Sequence, residues 1–260
     1  MIIYPYKLKE KNMADTPSTV AVIADVHGNR WALEAVLEDI QRRGIQQIIN
    51  LGDSLLGPLD PAGTADIFIQ RHIPSICGND DRVYITPPAT PSKTQLHTQQ
   101  YLTDEHLQWL RSLPDTLNFS DNIFACHGTP TSDTTYLLED VSVTGVTLNS
   151  IQAISTHVAN ITQPIILCAH SHIPRTVYLP SQQMVVNPGS VGLPAYTDDL
   201  PYPHAMASGS PHAKYVILRQ EGESWLVEHI FMPYNWEKAA QAARDQRFPH
   251  WSKWIKEGRA

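Results

Sequence analysis

Val20-Ala21-Val22-Ile23-Ala24-Asp25-Val26-His27-Gly28-Asn29 is an apolar run that stops abruptly at a carboxylate and an imidazole two residues apart. A run of this length and β-branched content reads as a buried strand. Side chains alternate along a strand, so Asp25 and His27 are predicted to point the same way where the chain leaves the sheet. Alone the pair is weak evidence for a metal, because a strand-end turn with an Asx cap uses the same letters. The same event recurs four more times. Apolar segments run into Gly52-Asp53, into Gly78-Asn79-Asp80-Asp81, into His127-Gly128-Thr129-Pro130 and into His170-Ser171-His172.

Between these strands the spacing turns helical. Leu33, Val36, Leu37 and Ile40 share one face of a helix that Gly44 ends, and Asp60-Pro61 opens a second helix as N-cap and first helical residue. Strand, helix, strand, helix, strand through Cys77 is the rhythm of a mainly parallel sheet. In such sheets ligands collect beyond the carboxyl ends of the strands, where the polar residues fall. Residues 84–92 are rich in Pro and Thr and read as a loop. Thr103 caps a helix that closes at Pro114, and a further helix spans 150–159. Strands near 175–179, 183–187, 214–219 and 224–231 alternate as antiparallel hairpins do. The tail over 235–260 starts as a helix. Its Phe248, Trp251, Trp254 and Ile255 form an apolar patch expected on the body or on another subunit, a route to a homo-oligomer.

At 260 residues the chain fits one large domain, preceded by a loose leader over 1–18 in which Met13 is a candidate start. The net charge of -7 argues against a general nucleic-acid binder, but not against a phosphorylated substrate, since bound metal reverses the local field. Cys77, Cys126 and Cys168 are odd in number and lack Cys-x-x-Cys spacing, so they read as buried residues of a reducing cytoplasm. No apolar run approaches the roughly 18 residues of a membrane span.

Asp25, His27, Asp53, Asn79, His127, His170 and His172 thus stand at separate strand ends. Nitrogen and oxygen donors without thiolate suit a pair of hard or borderline divalent ions such as Mn, Fe, Zn, Ni or Co. Taken singly, each residue has a turn or structural reading; together, at equivalent places, they point to a metal site. The motifs at 25–29, 52–53, 78–80, 127–130, 169–172 and Asn187-Pro188-Gly189-Ser190-Val191-Gly192 resemble, in order, those of the calcineurin-like metallophosphoesterase superfamily, and its small bacterial phosphodiesterase branch above all. The resemblance covers about residues 19–232 and implies an αββα sandwich of two mixed sheets, in a domain over 19–234. It also implies that Asp25, His27 and His172 bind one metal, that Asn79, His127 and His170 bind a second, and that Asp53 bridges them. Manganese is the favoured ion, and a bridging hydroxide would attack a small phosphoester. A non-catalytic scaffold, as in the retromer subunit with this fold, and a phosphomonoesterase or nucleotide hydrolase are the alternatives.

Two departures from the family pattern concern substrate. Many relatives carry His after Gly-Asn, where it assists the leaving group; here Asp80 stands there, and its negative charge disfavours a dianionic monoester. After Gly192 the expected arginine is missing, and residues 193–212 read as an insertion beside the site. An insertion there is a candidate lid, with His204 or His212 as a replacement proton donor.

Overall fold

The computed structural model describes residues 19–260; the leader expected over 1–18 lies outside them. The chain opens with β1 (Thr19–Ile23), α1 (Arg30–Arg42), β2 (Gln47–Asn50) and α2 (Pro61–Arg71). Three helices follow, α3 (Asn79–Arg82), α4 (Lys93–Gln99) and α5 (Asp104–Ser112). Next come β3 (Thr116–Ser120), β4 (Ile123–Cys126), β5 (Glu139–Ser142), β6 (Gly145–Leu148), α6 (Ile151–His157) and β7 (Ile165–Leu167). β8 (Arg175–Tyr178), β9 (Met184–Asn187), β10 (Ala195–Asp198), β11 (His204–Ala207), β12 (Ala213–Glu221) and β13 (Ser224–Met232) lead to α7 (Trp236–Asp245) and α8 (Pro249–Glu257).

Two sheets organise the molecule, in the orders β13-β12-β1-β2 and β3-β4-β7-β9-β8. β1 lies between β2, to which it is parallel, and the antiparallel β12; in the other sheet β7 runs parallel to both β4 and β9. Alternation along each strand makes the layers. Val20, Val22, Val216 and Leu218 of one sheet meet Ile123, Ala125, Ile165, Leu167 and Val186 of the other in a dry seam. The alternate residues Ala21, Ile23, Tyr215 and Ile217 face Leu33, Val36, Leu37 and Ile40 of α1. Phe124, Ile166 and Val185 face Ile154 and Val158 at α6. Helix, sheet, sheet, helix is the mixed α/β sandwich expected from the sequence.

Local chemistry explains where the sequence reading holds and where it fails. The Asp60 carboxylate accepts from Gly63 N at 2.9 Å and Pro61 is the first helical residue, as predicted. The segment over 73–77 is reduced to one parallel bridge, Asn50 to Ser75, because Pro74 has no N–H to extend the ladder. α4 follows the Pro-rich loop and starts at a Ser92–Gln95 capping box. The tail holds a second helix, α8, beyond the one the sequence suggests, and Phe248, Trp251 and Ile255 are buried against Leu55, Leu56 and Leu193. The apolar patch of the tail is therefore used within the chain.

Candidate metal centre and substrate cavity

The donors do not line up by extended-chain alternation. β1 ends at Ile23 and β7 at Leu167, before the donor residues begin. Five donor residues instead occupy left-handed backbone, with φ of 53° at Asp25, 50° at His27, 52° at Asp53, 69° at His170 and 59° at His172. Such conformations cost non-glycine residues on the order of 1–3 kcal/mol each and persist only where neighbours over-determine them. Here the neighbours are the other motifs. Asp25 N and His27 N donate to Gly52 O and Asp53 O, both at 3.0 Å, so the first two motifs hold each other. Gly192 N and Ser190 Oγ donate to Asp25 O at 3.0 and 2.7 Å. A Cβ on Gly192 would collide with Val26 O, and one on Gly78 with Asp53 Oδ1, which is why glycine stands at both points.

The side chains converge into two buried groups, Asp25 with His27 and His172, and Asp53 with His127 and His170. Asn79 joins the second, its Oδ1 3.1 Å from His127 Nε2, while Asp53 Oδ2 lies 3.2 Å from that nitrogen and 4.0 Å from His27 Nε2. Asp53 therefore stands between the groups. Backbone carbonyls fix the imidazoles. His27, His127 and His172 donate through Nδ1 to Leu56 O, Leu51 O and Leu193 O at 2.9, 2.7 and 2.6 Å, which turns Nε2 inward; at His27 and His172 that nitrogen is bare, while at His127 it meets Asn79 Oδ1 and Asp53 Oδ2. His170 is held the other way round, Nε2 to Thr134 O at 3.2 Å, so Nδ1 is its inward atom.

Two observations show that this set fits cations. Both Asp25 carboxylate oxygens are buried without a hydrogen-bond partner, a costly arrangement unless a positive charge sits beside them. The bare Nε2 atoms of His27 and His172 face each other at 3.2 Å, lone pair against lone pair. Burial and neighbouring imidazoles push His27 and His170 down to about 4, keeping them neutral as ligands must be. Burial acts the same way on His127, but Asp53 outweighs it and lifts that residue to about 10.

Around the donors opens a cavity of about 260 Å³, into which Asp80 and Asn79 also project. Its remaining walls are Leu193, Tyr196, Thr197 and Asp198 from the start of the insertion, and Trp251 and Trp254 from α8. Asp80 Oδ2 lies 3.8 Å from His27 Nδ1. Asp81, its neighbour, is buried and turned away; its carboxylate accepts from Ser54 N and Gly78 N at 2.9 and 3.3 Å, tying the loops that carry Asp53 and Asn79.

The insertion folds as the β10–β11 hairpin, and neither His204 nor His212 reaches the cavity. His204 spends one ring nitrogen on Tyr202 O at 2.7 Å and the other on Tyr136 OH at 3.1 Å. Tyr136 stacks on His170 at 4.5 Å and meets Tyr196 OH at 2.9 Å, so His204 braces the donor shell from behind. His212 contacts Ser210 Oγ at 2.6 Å and the Trp236 ring. Trp251, Trp254, Tyr196 and Asp198 were not singled out as site residues by sequence, since nothing local to an apolar tail or a hairpin says that it folds back over distant strand ends.

Two facing mixed sheets whose strand ends gather His, Asp and Asn around one centre define the metallophosphoesterase architecture. The chain belongs to the calcineurin-like phosphoesterase superfamily, whose domain model matches residues 19–207. It is similar to the crystal structure of a metallophosphoesterase from Sphaerobacter thermophilus, with a TM-score of 0.72, 22% identity and coverage of 94% of this chain and 100% of that one. A protein of Methanocaldococcus jannaschii, described only as uncharacterized, is 26% identical over 264 residues, covering 90% of this chain and 95% of its own. The family match stops before α7 and α8, so Trp251 and Trp254 complete the cavity from outside it.

Proposed function

We propose that the protein is a phosphodiesterase dependent on two divalent ions, with manganese the favoured metal. Asp25, His27 and His172 would hold one ion, Asn79, His127 and His170 the other, and Asp53 both. The observation that carries this reading is the unpartnered Asp25 carboxylate among bare, inward-facing imidazole nitrogens. Ions bound there supply Lewis acidity, lowering the pKa of water and neutralising charge on phosphoryl oxygens. The protein's own part is positional. Backbone carbonyls orient the imidazoles, Asp81 fixes the Asp53 and Asn79 loops, and the walls admit a substrate of limited size. Asp80 adds a carboxyl group to the cavity, its pKa raised well above the ordinary value by burial and by the Asp53 carboxylate, and a singly charged diester brings less negative charge beside this pair than a doubly charged monoester does. Three buried free thiols suit a reducing, cytoplasmic setting, and among the described residues no helix is long and apolar enough to cross a membrane.

The test is metal analysis together with a substrate panel. Protein loaded with Mn²⁺ should retain about two equivalents, as a two-metal site requires, and hydrolyse bis(p-nitrophenyl) phosphate faster than p-nitrophenyl phosphate. A monoester preference would overturn the diester reading. Stoichiometric metal with no hydrolysis of diesters, monoesters, cyclic nucleotides or pyrophosphates would make the protein a scaffold.

A further inference from the structure

The wall that α8 adds to the cavity is chemically distinct from the donor cluster. Trp251 packs edge-on against His27 with ring centroids 5.9 Å apart, so an indole begins where the donors end. Trp254 continues outward from it, the two indoles 6.2 Å apart and inclined at 51°, which forms an aromatic notch rather than a flat lid. Trp251 is buried in the core beneath the site, whereas Trp254 is only partly covered and presents surface to the cavity. On the hairpin side Tyr196 stands edge-on to His172 at 4.6 Å, and Asp198 offers an exposed carboxylate. Among the described residues that line the cavity there is no lysine or arginine.

These features restrict what the phosphorus can carry. A substituent leaving the donor cluster on the α8 side meets aromatic faces, and stacking on such faces discriminates planar rings from flexible alkyl chains. Among the described residues no lysine or arginine lines the cavity to hold a further phosphate group away from the donor cluster, and Asp198 there is an exposed carboxylate. Asp198 Oδ1 accepts from Leu200 N at 3.0 Å, which leaves Oδ2 to accept from ring or exocyclic N–H groups. A cavity of about 260 Å³ falls just under the usual range for small-molecule sites, roughly 300–1,000 Å³, room for one such group beside the donors.

We propose that Trp254, with Trp251 behind it and Asp198 opposite, forms a specificity subsite for a planar, amino-bearing aromatic substituent of the phosphodiester, a nucleobase being the fitting class. This rests on the phosphodiesterase reading but has its own observable. The probe is adenosine 5′-methyl phosphate, a diester with one base and one small alcohol. Saturation-transfer NMR on metal-free protein should show transfer to the base protons in the wild type and in Trp254→Phe, and its loss in Trp254→Ala. Trp254 is the residue of choice because truncating the buried Trp251 endangers the core; thermal melting of each variant checks that the fold is kept. With Mn²⁺, Trp254→Ala should raise KM for this diester about fivefold or more, as expected for one lost base–aromatic stack, and leave kcat within about twofold. Hydrolysis of diesters by the wild type without saturation of the base, or an unchanged KM in Trp254→Ala, overturns the subsite. Base saturation that depends on Trp254 while no diester is hydrolysed sustains the subsite and overturns the catalytic reading instead.

Discussion

Both Asp25 carboxylate oxygens are buried without a hydrogen-bond partner, the His172 Nε2 atom standing 3.5 Å from Oδ1. Saturating metal-free protein with Mn²⁺ at about 100 times Kd should stabilise it by about 2.7 kcal/mol for each occupied site. In Asp25→Asn most of one site's share should vanish, measured as the difference between urea unfolding with and without Mn²⁺. Lys214 poses a different problem. It is fully buried, its ammonium held by Ser210 O and His212 O at 3.0 and 2.7 Å, and burial brings its pKa down to about 7. Between that value and the ordinary 10.5 the unfolded chain holds a proton that the folded one does not, so the stability of the wild type rises with pH. Relative to Lys214→Met, the wild type should gain up to about 1.4 kcal/mol per pH unit across this window and show a flat difference below it. Urea denaturation of the two proteins from pH 6 to 10 reads that slope.

Helix starts and strand ends were the most legible features of the chain. The Asp60 cap of α2 was visible as Asp-Pro before an apolar helix, and Asp60→Ala should cost about 1 kcal/mol in chemical denaturation. Each donor was likewise legible, because an apolar run that stops at Asp, Asn or His is a local event. What was not legible depended on partners distant in sequence. The left-handed turns at Asp25, His27, Asp53, His170 and His172 arise from hydrogen bonds between motifs, which no window of residues encodes. The segment over 73–77 lost its ladder to one proline. The apolar patch of Phe248, Trp251, Trp254 and Ile255 reads from sequence as covered by the body or by another subunit, since apolar residues alone do not say what covers them. Trp251 now ties α8 to the core and to His27. Trp251→Ala should therefore cost about 3–5 kcal/mol of stability and lower turnover, read by urea melts and a diester assay on the same preparations.

At the level of the whole molecule the centre joins the two sheets. Asp25, His27 and Asp53 leave β1 and β2 of one sheet, while His127, His170 and His172 leave β4 and β7 of the other. Cations held between them would act as a cross-link at one edge of the sandwich, whose facing inner residues are apolar. Chelation with EDTA should lower the melting temperature and speed amide hydrogen exchange at residues 25–28, 52–54 and 169–172. Exchange in the β12–β13 hairpin, with its nine-residue strands, should stay as it was.

The place of β1 bears on biosynthesis. Its neighbour β12 and the indoles of α8 are translated long after it, although β12 pairs with residues 19–22 and Trp251 packs on His27, just beyond the strand. A nascent chain still lacking residues beyond 212 has an open flank on its innermost strand and no roof over its ligands. Messages cut short in that interval yield polypeptides that expose a bare strand edge, the kind of surface that chaperones and proteases seize.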